Sequence, residues 1–254
     1  MRIAVVGGTG TAGRHVVRAA GNAGVETVVV SRRTGVDVRT GEGLEKTLEG
    51  VEVIIDTADA GTIDRSKATS FFTEATGHLQ SVGAVQGVSR LVTLSIVGLE
   101  RVPAFGYYQA KLAQEAAAVA GPLPTTIVRS TQFHEFAAQF LSRGRVGPLA
   151  LVPHMKIQPI AARTVGQALL EAAVSPSSRQ TLEIAGPEVR DLVAMTRAIA
   201  RQRRMRTLVV PLRVPGRAGR AMRSGGQLPL PDVRAAGPRF EEWLQGEDLA
   251  AVFP

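Results

Sequence analysis

The run Gly7-Gly8-Thr9-Gly10-Thr11-Ala12-Gly13 constrains this chain more than any other stretch. Before it lies Arg2 to Val6, an apolar, β-branched run that reads as a buried strand. After it, Val16, Val17, Ala20 and Ala23 recur at helical spacing, so Thr11 to Ala23 reads as a helix. Glycines at 7, 10 and 13 serve three needs: a sharp turn out of the strand, close approach of a phosphate to the backbone, and tight packing of helix on sheet. The helix start then offers free N–H groups and a positive dipole end. A strand before the loop and a helix after it separate a dinucleotide loop from an ordinary glycine-rich turn.

The rest of the first half repeats the strand–helix alternation. Strands are expected at Glu26 to Val30, Val51 to Ile55, Arg90 to Ser95 and Thr125 to Arg129. Helices are expected at Leu44 to Leu48, Ser66 to Gln86, Tyr107 to Ala120 and His134 to Ser142. Such alternation predicts an α/β chain, a Rossmann-type doubly wound parallel sheet. Beyond Gly144 the pattern loosens. Helices are expected at Thr164 to Val174 and Leu192 to Arg203, strands at Thr181 to Ala185 and Thr207 to Val210, and a last short helix at Phe240 to Leu244. Leu212 to Pro238, rich in Gly, Pro and Arg, reads as a loop region. The expectation is one nucleotide-binding domain over 1–254, with roughly 146–254 forming a small C-terminal substrate cap.

Composition removes several classes of chemistry. With no cysteine there is no disulfide, thiolate metal site or thiol nucleophile. His15, His78, His134 and His154 show no metal-ligand spacing, so no metal site is expected. No run approaches ~18 apolar residues, and Ile3 to Val6 lacks the flanks of a signal peptide, so a cytoplasmic protein without a membrane segment is expected. No Walker-type phosphate loop and no G-x-S-x-G elbow occurs. The net charge is +8, and twelve arginines lie between Arg190 and Arg239 against Asp191 and Asp232. The phenylalanines do not interleave with that cluster, which argues against a nucleic-acid surface and for a solvated basic face.

The second strand ends in Val28-Val29-Val30 and runs into Ser31-Arg32-Arg33. An acid here would bind the ribose 2′-hydroxyl of NAD; two arginines favour a 2′-phosphate, and hence NADP over NAD. Tyr107 and Lys111 stand at i and i+4, on one helical face. A nearby ammonium would favour the phenolate of a residue whose ordinary pKa is about 10, fitting Tyr107 for proton exchange with a substrate oxygen. Ser95, at the end of the fourth strand, stands where its hydroxyl could bond the same oxygen. Tyr108, at i+3 from Lys111, is a rival for Tyr107.

Together, the glycine loop, Ser95 and Tyr107-x-x-x-Lys111 resemble the short-chain dehydrogenase/reductase superfamily. The closer likeness is to its atypical, NmrA-like branch. That likeness rests on Gly7-Gly8-Thr9-Gly10, Tyr107 to Glu115, Thr126-Ile127-Val128-Arg129 and Gln158-Pro159-Ile160. The resemblance implies that Tyr107 is the acid–base residue, Lys111 holds the nicotinamide ribose and Ser95 orients the substrate carbonyl. Gly7, Thr9, Gly10, Thr11, Ala12, Gly13, Ser31, Arg32 and Arg33 would hold the nucleotide phosphates. Asp37 and Val38 would contact adenine, and Thr57-Ala58 would flank the cofactor. Ser130 to Phe133 would border the nicotinamide, with His134 facing the substrate pocket, so that Gln132, Phe133 and His134 would meet the substrate. The asparagine of the better-known proton relay has no counterpart; Asn22 is the only asparagine.

These readings converge on an NADPH-dependent reductase of a small carbonyl or quinone. Two alternatives stay open: a non-catalytic, NADP-binding redox sensor with a protein partner, and an epimerase or isomerase that keeps its nucleotide. The sequence leaves the oligomeric state open.

Overall fold

The computed structural model describes residues 1–142, 144–175 and 180–252. Its elements run β1 (Arg2–Val6), α1 (Gly13–Asn22), β2 (Glu26–Val30), α2 (Leu44–Thr47), β3 (Val53–Asp56), α3 (Arg65–Val85), β4 (Arg90–Ile96), α4 (Gly106–Ala120) and β5 (Thr125–Ser130). There follow α5 (His134–Ser142), β6 (Arg145–Val146), β7 (Leu149–Pro153), β8 (Lys156–Ile157), α6 (Ala162–Val174), β9 (Thr181–Ala185) and β10 (Arg190–Asp191). The chain continues through α7 (Leu192–Gln202), β11 (Leu208–Leu212), α8 (Gly216–Ser224), β12 (Arg234–Ala235), α9 (Phe240–Gln245) and α10 (Glu247–Val252). A seven-stranded sheet has the order β2-β1-β3-β4-β5-β9-β12. This is the Rossmann-type arrangement that the strand–helix alternation predicts.

The chain divides into two compact units. The first comprises 1–96, 105–129 and 165–182 and holds β1 to β5, the start of β9 and helices α1 to α4. Its strands are short, apolar and β-branched because a parallel sheet is covered on both faces. Ile3, Ala4, Val5, Ile54, Ile55 and Leu91 are fully buried. The register aligns the strand ends: Val6 stands beside Val30 and Asp56, and Asp56 beside Thr93. From β1 the chain goes to β2 on one side and then to β3 on the other. The order therefore reverses next to β1, and the crevice beyond the strand carboxyl ends lies at that reversal. A bidentate Arg129–Glu115 pair, Nε–Oε1 2.9 Å and Nη2–Oε2 2.6 Å, ties β5 to α4.

The second unit comprises 97–104, 130–164 and 183–254. Here β7 pairs antiparallel with β6 and parallel with β11, and β8 pairs with β10. Helices α5 and α7 pack on one another and on β7. Leu141, Val152, Leu192, Ile199 and Trp243 are buried in this unit.

One expected loop is partly helical. Within Leu212 to Pro238, α8 forms although the segment holds five glycines and four prolines. Pro215 precedes its first turn, a place that proline tolerates. Gly219 packs against the Val214 backbone, where a Cβ would not fit, Met222 is buried, and Gly225 at φ 82° ends the helix. The glycines that read as a loop signal are a close-packing residue and a C-terminal stop.

Candidate functional site

The glycine loop leaves β1 at the strand-order reversal. Gly7 adopts φ 70°, its N–H donates to Val30 O at 2.9 Å, and Thr57 returns N–H and Oγ1–H bonds to Val6 O. These bonds seat the loop on the ends of β1, β2 and β3. A Cβ at Gly13 would lie 2.7 Å from the Gly7 carbonyl carbon and from Gly8 Cα, so α1 starts where only glycine fits. The amides of Thr11, Ala12 and Gly13 have no acceptor among the described residues. Three unsatisfied N–H groups at a helix start form an anion cradle, so these residues fit a nucleotide phosphate.

At the end of β2, Ser31 and Thr34 close a capping box around the turn that carries Arg32 and Arg33. Both arginines are exposed, and neither has a partner among the described residues. Asp37 spends one carboxylate oxygen on the Arg39 N–H at 2.9 Å, and the Val38 carbonyl accepts a bond from the His78 ring. Ala58 donates its N–H to the Asp56 carboxylate at 2.9 Å.

The Tyr107–Lys111 face differs from the expected proton geometry. Tyr107 Oη donates to Asp59 Oδ1 at 2.9 Å. Burial and that carboxylate push the phenol well above the ordinary tyrosine range. Lys111 turns inward and is 4% exposed; its Nζ donates to Leu94 O at 2.7 Å and to Gln114 Oε1 and lies 4.7 Å from the Phe72 ring centre. Gln114 in turn donates to Asp56 Oδ2 at 2.9 Å. Burial lowers Lys111 to about 8 and raises the Asp56 carboxyl. The lysine is thus the centre of a buried network joining β3, β4 and α4, and Asp59 is the group that meets the phenol. Ser95 is 1% exposed, and its Oγ has no partner among the described residues. Tyr108 is buried against Phe105, edge to face at 5.0 Å, as a packing residue.

The second unit holds the other expected substrate residues. Gln132 and Phe133 are half-buried; the Gln132 carbonyl accepts the Ile160 N–H at 2.9 Å, and Phe133 bridges Ile160. His134 is fully buried between Phe240 and Trp243, with ring centres 5.6 and 5.4 Å away. Burial lowers it to about 4, so it is neutral. Its expected place toward a substrate is replaced by a place in an aromatic core, because α9 packs over it. The arginine-rich segment is divided: Arg190 pairs with Glu188 and Glu241, Arg223 donates to Val214 O, and Arg217 and Arg220 line a cavity of about 370 Å³ with Arg101 to Ala104 and Ala221.

Glu135 carries a prediction for stability. It is 1% exposed, accepts the Ala162 N–H at 3.3 Å, and burial raises it to about 7. A carboxyl raised in the folded state contributes stability below its unfolded pKa, near 4.5, that is lost as pH rises through 7. His134 has the opposite sign: its contribution is present above the ordinary histidine value of 6.5 and is lost as pH falls through 4. The Glu135 effect is therefore offset at lower pH and stands alone above it. Glu135→Gln should remove a loss of about 3 kcal/mol in unfolding free energy on going from acid to pH 8. Urea denaturation of both proteins across that range checks it, and parallel curves would refute it.

Among the described residues no cluster of His, Asp or Glu side chains comes together to hold a metal ion. None of their helices is long and apolar enough to cross a membrane. Sequence reasoning missed Asp56, Asp59 and Gln114. Gln114 had a signal, since 107, 111 and 114 follow one helical face; the acids had only their place after a strand.

Residues 3–95 match the model of the NAD dependent epimerase/dehydratase family. This segment holds the glycine loop, Arg32, Arg33, Asp59 and Ser95, and it ends before Tyr107. Comparison with curated proteins gives no match. The chain is similar to a solved dTDP-4-dehydrorhamnose reductase from Clostridium acetobutylicum, at 16% identity over 99% of this chain and 100% of that one, TM-score 0.75. It is similar to a short-chain dehydrogenase/reductase superfamily protein from Agrobacterium tumefaciens with bound NAD, at 18% identity, 99% and 97% coverage and TM-score 0.67. It is also similar to a UDP-N-acetylglucosamine 4-epimerase from Bacillus cereus, at 17% identity, 100% and 96% coverage and TM-score 0.70. At these identities the likeness establishes the fold.

Proposed function

We propose that this protein is an NADP-dependent oxidoreductase that reduces a small carbonyl or quinone, with Tyr107 as the acid–base residue. The observation that carries the reading lies within the first unit. A cradle of three unsatisfied amides at the start of α1 shares that unit with a phenol one helical turn from a buried lysine. The match of residues 3–95 to a nucleotide-using family supports it.

The roles follow from the side chains. Thr11, Ala12 and Gly13 N–H groups hold the pyrophosphate, and Gly7 and Gly10 let it approach. Arg32 and Arg33 hold the 2′-phosphate. Bound nicotinamide supplies the hydride. Tyr107 gives its hydroxyl proton to the substrate oxygen, and Ser95 donates a second bond to the same atom. Lys111, held by Leu94 O and Gln114, stands one helical turn from Tyr107 on the same face of α4. The test is turnover of a panel of carbonyls and quinones with NADPH and with NADH; equal or tighter binding of NADH would defeat the NADP assignment.

A paired prediction follows from the two free guanidiniums. Arg32→Ala together with Arg33→Ala should weaken NADPH binding about 10- to 100-fold, the loss expected for one or two charge-assisted bonds, and leave NADH nearly unchanged. Fluorescence titration with each nucleotide measures this. Equal loss for both would show a role other than 2′-phosphate recognition.

The epimerase reading is favoured by the match of residues 3–95 to the NAD dependent epimerase/dehydratase family. It differs in one observable: product forms without net consumption of NADPH.

A further inference from the structure

We propose that Asp59 is a positioning residue for Tyr107 that passes its proton to and from solvent. The inference rests on the reading of Tyr107 as the acid–base residue and adds the route by which that residue is reset.

The geometry is specific. Asp59 Oδ1 accepts the Tyr107 hydroxyl at 2.9 Å and the Gly61 N–H at 3.4 Å. Its other oxygen has no partner among the described residues, and the residue is exposed. One side of the carboxylate therefore faces the phenol and the other faces water. Tyr108, on its own helix, is the other ionisable group that acts on the phenol; Lys111 lies one helical turn further on, and Arg65 at the start of α3 approaches the backbone at Gly106. The rest of the surroundings is apolar: the Phe72 ring lies 5.9 Å away and the Phe105 ring 6.5 Å. Among the described residues, Asp59 is the carboxylate that meets the hydroxyl.

The proton balance requires such a group. Each reduction consumes one hydride and one proton. The Tyr107 O–H bond breaks and an O–H bond forms on the product, leaving a phenolate. That phenolate stands beside a carboxylate, and two like charges at this distance disfavour each other strongly. A solvent proton that binds the exposed face of Asp59 then moves to Tyr107 and restores the phenol. In the oxidative direction the same atoms run backwards. Rotation about the Cζ–Oη bond aims the hydroxyl at Asp59 or at substrate, so it serves one partner at a time.

The closing experiment has two arms. The chain has two tyrosines, Tyr107 and Tyr108. In nucleotide-free wild type the Tyr107 step lies at strongly alkaline pH, so phenolate absorbance is followed as the step that Asp59→Asn brings down, and Tyr107→Phe in that background identifies it. Asp59→Asn should move the Tyr107 step down by about 1–3 pH units. A titration that coincides with wild type overturns the proposal. In turnover, Asp59→Ala should lose at least about tenfold, formate should restore part of it, and Asp59→Glu should keep most of the rate. Formate should not restore Tyr107→Phe. An unmoved rate in Asp59→Ala, or a loss that formate leaves untouched, overturns the relay. Wild-type protein that turns over no carbonyl, while Asp59→Asn still shifts the titration, defeats the reductase reading and leaves the Asp59–Tyr107 pairing standing.

Discussion

Replacing Tyr107 by Phe should abolish most turnover while the protein still folds and still binds nucleotide. The hydroxyl is the only group the substitution removes, and general acid–base catalysis contributes about 10²–10⁴-fold. The ring is retained, with its edge contacts to Phe72 and Phe105. The lost bond is to Asp59, an exposed carboxylate that water can solvate, so the structural cost stays small. Nucleotide affinity should be unchanged, because the amides that form the cradle belong to Thr11, Ala12 and Gly13. Steady-state rates with NADPH and a reducible carbonyl, beside a nucleotide titration, separate the two quantities. Unchanged turnover would remove Tyr107 from the chemistry. Tyr108 offers the contrast: it is buried against Phe105, so Tyr108→Phe should touch packing and leave the rate in place.

Much of the frame is legible along the chain because local signals and tertiary need agree there. A short β-branched run, a glycine turn and an apolar helical face all point to the same unit. The helix after the loop shows where this stops: it is expected from Thr11 and begins at Gly13, because Thr11 and Ala12 belong to the turn that leads from the glycine loop into the helix. Periodicity also places Tyr107 and Lys111 on one face. It does not reveal what another element sets against that face. Asp59 is 48 residues from Tyr107, and Asp56 is 58 from Gln114. Those partners decide that the lysine turns inward and that the phenol meets an anion. His134 illustrates the same limit, since its aromatic neighbours Phe240 and Trp243 come from the other end of the second unit. Helix α8 was hidden for a different reason: glycine signals a loop by its freedom, yet at Gly219 it serves for its lack of a Cβ.

The glycine loop yields the largest expected effect on folding. Gly13→Ala places a methyl 2.7 Å from Gly7 C and Gly8 Cα, a separation that side-chain carbons do not adopt. Both contacts are backbone, so no flexible side chain can yield. The loop must move, and it is held on three strand ends by the Gly7–Val30 bond and by Thr57. Overpacking of this kind costs about 1–3 kcal/mol or more. It should also displace the amides of residues 11 to 13 and lose nucleotide binding. Two substitutions in the same segment make the assignment specific. Gly10→Ala meets only the Gly7 carbonyl oxygen, at 3.1 Å, and should be milder. Gly21→Ala, inside α1, meets nothing within 4 Å and should stabilise by about 0.5–1 kcal/mol through helix propensity. Denaturant unfolding and nucleotide titration of the three variants should therefore rank them 21 above wild type, 10 near or below it, and 13 lowest in both stability and affinity. If Gly13→Ala matched wild type in both, the close approach of α1 to the first strand's end would not be what glycine supplies at that position.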